Sequence, residues 1–233
     1  DLVNNSLFES NQANRLGGSI YVTEDISVSN SNFTDHDTAL RGGAIYIGGG
    51  SQSNVDNCEF TDNSAIRGGA IYVSDYITLN ITDSIFTDND ATGTDRANDG
   101  GGAVYTLGTC NIENSSFDGN TAICGAALYL GYTANAIDTC NFTNNIADLG
   151  GAIYLISGSD ATVKNSKFTN NQATGTDSIS GGGAIYASGI CDIDDSTFDD
   201  NSAVNGGAIY LNKAGSTIDA TDFTDNSATK GEI

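Results

Sequence analysis

A repeat of about 25 residues runs through this chain of 233 residues. The chain contains nine Phe, all at one repeat position and at intervals of 25 to 31 residues. They are Phe8, Phe33, Phe60, Phe86, Phe117, Phe142, Phe168, Phe198 and Phe223. A unit this short cannot bury a core alone, so stacked copies must share one. The repeat predicts an all-β fold, a right-handed parallel β-helix (β-solenoid) of about nine coils.

A second column of the repeat carries Asn three residues after Phe. It comprises Asn11, Asn63, Asn89, Asn120, Asn145, Asn171, Asn201 and Asn226. His36 occupies this position in the second copy. Since neighbouring coils lie about 4.8 Å apart, equivalent side chains stack, and Asn amides can bond from coil to coil. We therefore expect a buried Asn ladder, in which His36 is a neutral structural substitute.

The block Gly-Gly-Ala-Ile-Tyr, intact or in close variants, recurs in eight coils. Its tyrosines are Tyr21, Tyr46, Tyr72, Tyr105, Tyr129, Tyr154, Tyr186 and Tyr210. The glycines are expected to supply a positive φ at a corner. Alternation along the strand favours Ile inward and Tyr outward. An outward stripe could contact glycans or a second solenoid, while the alternative, with Ala and Tyr inward, stays open.

The pattern Phe-x-x-Asn followed by Gly-Gly-Ala-[Ile/Leu/Val] resembles the repeat of the chlamydial polymorphic membrane proteins. It is also similar to the adhesin-like β-helix repeats of methanogenic archaea. The resemblance covers essentially the whole chain. It implies a secreted, surface-displayed and adhesive protein, although no membrane anchor is visible here.

A longer period of 82 residues relates Cys58 to Cys140 and two copies of the tetrapeptide Thr-Gly-Thr-Asp. The tetrapeptides open insertions near residues 92–99 and 174–181. Residues 1–233 are expected to form a single solenoid domain, with both insertions leaving the same corner about 14 Å apart. Such loops could bind a ligand, or they could be neutral insertions at a tolerant corner.

The spacing of the five cysteines argues against a disulfide framework. Equivalent cysteines of the duplicated blocks lie three coils apart, beyond the reach of a bridge. Cys110 and Cys124 are the only plausible pair, because they share a coil. Cys58 and Cys140 instead resemble the small residues, mostly Ser, that stand two positions before the other phenylalanines.

The net charge restricts the kinds of partner that the chain can bind. Thirty acidic and eight basic residues give a net charge of −22. Nucleic acid and anionic membranes would be repelled, and no apolar run of about 18 residues predicts membrane insertion. The basic residues are scattered along the chain, which leaves little to neutralise an acidic sugar.

An enzyme is disfavoured. The acids Asp194, Asp195, Asp199 and Asp200 could imitate a carboxylate pair, but turns and outer faces explain them in so acidic a chain. His36 is the only His and stands in the ladder. No cofactor or metal is expected; calcium is compatible with Asp-rich turns, but no loop has the spacing of a calcium motif.

The sequence therefore favours a non-enzymatic structural or adhesive solenoid, extracellular or at the cell surface. It could form a fibre by head-to-tail contact of its own copies or bind surface glycans. The alternative is a ligand- or glycan-binding fragment of a larger surface adhesin. A polysaccharide-active enzyme is the weaker third reading.

Overall fold

Parallel strands stack on their own copies throughout the chain. The computed structural model describes residues 1–132 and 134–230, and these residues contain strands and turns but no helix. Each coil pairs in register with the next, so that Phe60 lies between Phe33 and Phe86. The two largest sheets have nine strands each, one per coil. The predicted all-β parallel solenoid of about nine coils is confirmed.

Most coils contribute strands to four faces, which we name sheets A to D in chain order. Sheet A consists of Leu2–Asn4, Ser27–Ser29, Gln52–Asp56, Thr78–Thr82, Cys110–Glu113, Ala134–Asp138, Asp160–Lys164, Ile190–Asp194 and Ile218–Asp219. Sheet B consists of Leu7–Glu9, Asn32–Thr34, Glu59–Thr61, Ile85–Thr87, Ser116–Asp118, Asn141–Thr143, Lys167–Thr169, Thr197–Asp199 and Asp222–Thr224. Sheet C has two groups of two-residue strands, at Gln12–Ala13, Asp37–Thr38, Ser64–Ala65 and Asp90–Ala91, and at Ile146–Ala147, Gln172–Ala173, Ser202–Ala203 and Ser227–Ala228. Sheet D consists of Ile20–Val22, Ile45–Ile47, Ile71–Val73, Val104–Thr106, Leu128–Leu130, Ile153–Leu155, Ile185–Ala187 and Ile209–Leu211.

The interior is built from apolar columns on sheets A, B and D. Successive side chains of a strand point to opposite faces, so each short strand sends one or two apolar side chains inward. The phenylalanine rings of sheet B stack with centroids 4.6 to 5.1 Å apart. The seven rings from Phe33 to Phe198 are fully buried, whereas Phe8 is partly buried and Phe223 is 46% exposed. The column therefore forms a continuous apolar spine along the solenoid.

The asparagine column forms a hydrogen-bonded ladder. In a typical rung, the backbone N–H and the Nδ2 of Asn145 both donate to Oδ1 of Asn171, at 3.1 and 2.9 Å. Nδ2 of Asn145 also donates to the carbonyl of Phe117 in the preceding coil, at 3.0 Å. Asn63, Asn89, Asn120, Asn145, Asn171 and Asn201 are each fully buried. Each amide thus satisfies an N–H and a carbonyl of the preceding coil and bonds to the amide of the next coil, as a buried turn requires.

His36 replaces asparagine in this ladder by using its ring nitrogens. Nδ1 accepts the backbone N–H of Asn11 at 2.9 Å, and Nε2 lies 2.8 Å from the Ser19 hydroxyl. Because Nδ1 is an acceptor, the neutral ring carries its proton on Nε2, which we infer from these partners. Burial lowers the pKa of His36 below its usual range. The folded state therefore holds a neutral imidazole.

We expect the substitution His36→Asn to remove one source of acid sensitivity. The pKa of His36 is lower in the folded chain than in the unfolded chain, so the unfolded chain takes up the proton first as pH falls. The contribution of the neutral ring is complete above about pH 6.5 and is lost as pH falls towards the folded-state pKa. Thermal melting from about pH 7.5 to about pH 5 should show the variant gaining on the parent protein as pH falls. A melting-temperature difference that does not change with pH would contradict this account.

The glycine pair makes the corner before sheet D, and its two glycines have different functions. Gly42 has a φ of 64°, and a Cβ there would lie 2.1 Å from the carbonyl oxygen of Ile45. A Cβ at Gly43 would lie 2.0 Å from the carbonyl oxygen of Gly69 in the next coil. The first glycine therefore permits the turn, and the second permits close contact between coils.

The five cysteines are free and buried. Sγ of Cys58 and of Cys140 donates to the carbonyl two residues earlier, as the Ser31 hydroxyl does in its own coil. The bridge that remained plausible between Cys110 and Cys124 does not form. Burial raises the pKa of Cys110, Cys124 and Cys191 to about 12. These thiols are therefore protonated at neutral pH and weakly reactive.

Candidate functional site

The tyrosines of sheet D form a second layer outside the main core. Their strand neighbours, such as Ile45 and Ile71, belong to the main cluster, while the tyrosines form a separate one. Tyr46, Tyr72, Tyr105, Tyr129 and Tyr186 are at most 9% exposed, Tyr154 and Tyr210 are partly buried, and Tyr21 is 57% exposed. The expectation of an exposed tyrosine stripe is therefore wrong for most of the column.

Stacking and a lateral cover explain why outward tyrosines are buried. Their ring centroids lie 4.4 to 5.3 Å apart, so each ring covers the faces of its neighbours. Cys124 and Leu149 pack against the stack, as do the partly buried Leu107 and Ile156. Alternation places the tyrosines on the outer face of the sheet, and the adjoining corner then covers that face. Burial raises the phenol pKa of Tyr72, Tyr105, Tyr129, Tyr154 and Tyr186, most strongly in the middle of the column at Tyr129.

Residues 92–99 and 174–181, which we name the first and second loops, meet on this side of the solenoid. Arg96 of the first loop forms ion pairs with Asp177 of the second loop and with Asp148 of the intervening turn, the latter at 2.8 Å. All three side chains are about a third to a half exposed, so the pairs fix geometry more than they stabilise the fold. The two insertions thus form one connected surface.

The first loop is also ordered internally. The backbone N–H of Ala97 and the Asn98 amide both donate to the Asp95 carboxylate, and these bonds lower the pKa of Asp95, the Asn98 bond most. Asp99 accepts the backbone N–H of Asp95 at 3.0 Å and pairs with Arg67 at 2.7 Å. The Asp95 carboxylate therefore orders the loop internally, and the Asp99 carboxylate holds the loop against the coil.

A cleft of about 220 Å³ lies between the first loop and sheet D, and we name it the tyrosine cleft. Tyr105, Tyr129, Tyr132 and Tyr154 line it together with Leu107, Ile156, Ala97, Asn98 and Ser157. Tyr132 is 63% exposed, and Tyr129 donates its hydroxyl to the Ala97 carbonyl at 3.2 Å. The cleft combines aromatic and aliphatic surface with amide and hydroxyl groups at its edge. Tyr132 lies outside the repeat block, so sequence periodicity did not identify it.

A larger cleft of about 380 Å³ lies on the same corner, and we name it the arginine cleft. It is lined by Arg15, Leu16, Leu40, Arg41, Ile66, Arg67, Asp95 and Asp99. Arg96 belongs to the first loop beside it, so all four arginines lie on this corner. The expectation of scattered basic residues is therefore wrong for the arginines. The signal was present in the repeated Arg-Gly-Gly at 41–43 and 67–69.

The acids that could imitate a carboxylate site belong to ordinary turns and outer strand faces. Asp195 and Asp200 are exposed turn residues with φ of 45° and 55°. Asp194 faces outward, 3.8 Å from Lys164, and Asp199 is half-buried on sheet B. Within residues 1–132 and 134–230, no three His, Cys, Asp or Glu side chains form a group that could hold a metal ion.

The coil geometry agrees with a comparison against protein families. The pattern described as "Right handed beta helix region" matches residues 2–142 and 103–231, which together cover most of the chain. The chain belongs to the right-handed β-helix family. The handedness of the solenoid follows from this membership and from the strong preference of parallel crossovers for that hand. The narrower resemblance to chlamydial and archaeal adhesin repeats stays a prediction.

One curated relative is metabotropic glutamate receptor-like protein R of Dictyostelium discoideum, which is 30% identical over 115 residues. The match covers 48% of this β-helix and 7% of the relative, so the chain corresponds to a small part of that protein. No solved structure matches the chain significantly. Among the described residues, no helix is long and apolar enough to cross a bilayer.

Proposed function

We propose that this β-helix is a non-enzymatic adhesive element of a cell surface or extracellular matrix, which contacts glycans through its loop-bearing corner. The observation that carries the proposal is the tyrosine cleft, in which the exposed ring of Tyr132 lies beside Asn98 and Ser157. Aromatic surface with a few polar groups at its edge is the usual composition of a small-ligand site. A tyrosine ring can cover the apolar face of a sugar while its hydroxyl stays in water.

The scaffold supports this function because it holds the corner rigidly. The tyrosine layer is stacked from coil to coil, and the first loop is bonded both to the coil and to the second loop. Binding residues carried on loops of a rigid scaffold lose little conformational freedom when a ligand binds. If the two insertions were neutral, no contact between them would be expected, yet Arg96 joins the two loops.

Two further observations favour a binding protein over an enzyme. Both ring nitrogens of His36 are engaged in the asparagine ladder, and the paired acids lie at turns and on outer strand faces. A surface location is supported by the relative from Dictyostelium discoideum, whose name describes it as receptor-like. Buried, protonated thiols would also resist unwanted disulfide formation outside the cell. Assembly into a fibre stays a prediction, which electron microscopy of the native protein tests.

The substitution Tyr132→Ser should weaken glycan binding about tenfold, as loss of one stacked ring would. Tyr76→Ser is the matched control, because Tyr76 is 90% exposed but lies outside the cleft. Oligosaccharides that bind the parent protein on a glycan array would be titrated against both variants. If the two substitutions reduce affinity equally, Tyr132 is not the contact. If the parent protein binds no glycan on the array, the proposal is wrong.

A further inference from the structure

The arginine cleft concentrates positive charge on a strongly acidic protein. The net charge is −22, yet Arg15, Arg41 and Arg67 line one cleft. Arg41 and Arg67 pair directly as bridge partners in consecutive coils, which places them about 4.8 Å apart along the axis. The cleft also contains Asp95 and Asp99, so its three guanidinium groups and two carboxylates leave one positive charge. That excess is what a single bound carboxylate would neutralise.

The arginines of the cleft differ in how their charge is compensated. Arg67 is paired with Asp99 at 2.7 Å. Arg41 lies with its guanidinium carbon 4.9 Å above the ring of Tyr72. Within residues 1–132 and 134–230, neither Arg15 nor Arg41 has a carboxylate within ion-pair distance, although the chain has 30 acidic residues. Arg15 and Arg41 therefore retain donors for a ligand.

The remaining walls of the cleft restrict the kind of ligand. Leu16, Leu40 and Ile66 supply apolar surface between the arginines. Backbone groups along this corner already bond between coils, for example Arg41 N–H to the Arg15 carbonyl and Arg67 N–H to the Leu40 carbonyl. An added peptide strand would need such groups to be free. The cleft therefore offers apolar and guanidinium contacts, which suit a sugar ring with one carboxylate better than an extended peptide.

We propose that the arginine cleft binds an acidic sugar residue through its carboxylate, with Arg15 and Arg41 as the recognising groups. The planar guanidinium can donate two parallel hydrogen bonds to a carboxylate, and the apolar side chains of the floor would lie under the sugar ring. This inference rests on the proposed glycan contact and narrows it to glycans that carry a carboxylate. The volume of about 380 Å³ is within the range of small-ligand sites.

The test compares one oligosaccharide that contains a single uronic acid residue with the same oligosaccharide after reduction of its carboxyl group to the alcohol. Calorimetric titration of the parent protein should show at least about tenfold tighter binding of the acidic form. The double variant Arg15→Gln, Arg41→Gln should lose this preference. Lys213→Gln removes one positive charge near Asp160, far from the cleft, and should keep it. Arg15→Gln alone alters only an exposed side chain and provides a second variant whose folding is not at risk.

The possible outcomes separate this inference from the proposed function. Equal affinity for the acidic and reduced forms overturns the inference, and if that binding still depends on Tyr132 the glycan contact stands. A preference that survives the double substitution also overturns it, as does equally tight binding of a short glutamate peptide with one net negative charge. A preference abolished by the double substitution and kept by Lys213→Gln supports it.

Discussion

Replacing Asn145 by Leu should destabilise the solenoid by about 2–6 kcal/mol. The substitution removes the Asn145 donor from the Phe117 carbonyl and leaves the backbone N–H of Asn120 without its acceptor. Nδ2 of Asn120 loses one of its two acceptors and keeps the Phe86 carbonyl. Each buried polar group left unpaired costs about 1–3 kcal/mol. Leucine has a similar branched shape but cannot make these bonds. The urea-denaturation midpoint and the melting temperature should both fall clearly.

Asn141→Leu is the matched control, because Asn141 is exposed on sheet B and the same chemical change there strands no buried group. Its melting temperature should stay within a few degrees of the parent value, as for most surface substitutions. If Asn145→Leu and the control have the same melting temperature, the ladder does not stabilise the fold. The loss of stability also depends on whether the replaced asparagine has ladder neighbours on both sides. Asn226 lies in a partly buried rung, so Asn226→Leu should cost less than Asn145→Leu.

Replacing Phe142 by Ala should cost about 3–5 kcal/mol, the usual range for a fully buried phenylalanine. Its ring is fully buried and stacks on Phe117 and Phe168 with centroid distances of 4.9 and 4.7 Å. The substitution removes contacts with both rings and leaves a cavity in the spine. Neighbouring coils are fixed by their strand ladders, so the cavity cannot collapse easily. Denaturation by urea measures the loss.

Phe223→Ala provides the comparison, because Phe223 is 46% exposed and its one stacking contact in the column is with Phe198. Its replacement should cost about half as much or less, since less apolar surface leaves water when the chain folds. An equal loss at both positions would mean that burial within the column does not set the energy. In that case, burial of the stacked phenylalanine rings would not be a main source of the stability of the solenoid.

The coil register could be predicted from sequence because it depends on repetition. Phe60 and Asn63 recur with the same spacing in almost every coil, and a parallel stack brings equivalent positions together. The interior position of Ile71 followed from strand alternation. The left-handed turns were less visible, although a column such as Asp35, Asp62 and Asp88, with φ of 53° to 59°, marks one of them. Short polar side chains tolerate that conformation better than others.

The candidate site depends on contacts that repetition does not specify. Tyr129 follows the alternation rule, but whether water reaches its outer face depends on Leu149 and Cys124 of the adjoining corner. Tyr132 and Arg96 belong to irregular segments, whose path is fixed by individual bonds such as that between Arg96 and Asp148. The residues that form such bonds do not recur at regular intervals, so the repeat does not reveal them.

The amino-acid sequence by itself determined the class of fold, the number of coils and the columns that fill the core. It could do so because the coils repeat one pattern of apolar and polar residues. Only one stacking register buries the apolar residues of all nine coils together. Only the tertiary structure decided that the tyrosine layer is covered, that the two loops are joined, and that the arginines converge on a cleft. These features arise between residues far apart in the chain, where side-chain reach and the curvature of the corner set the distances.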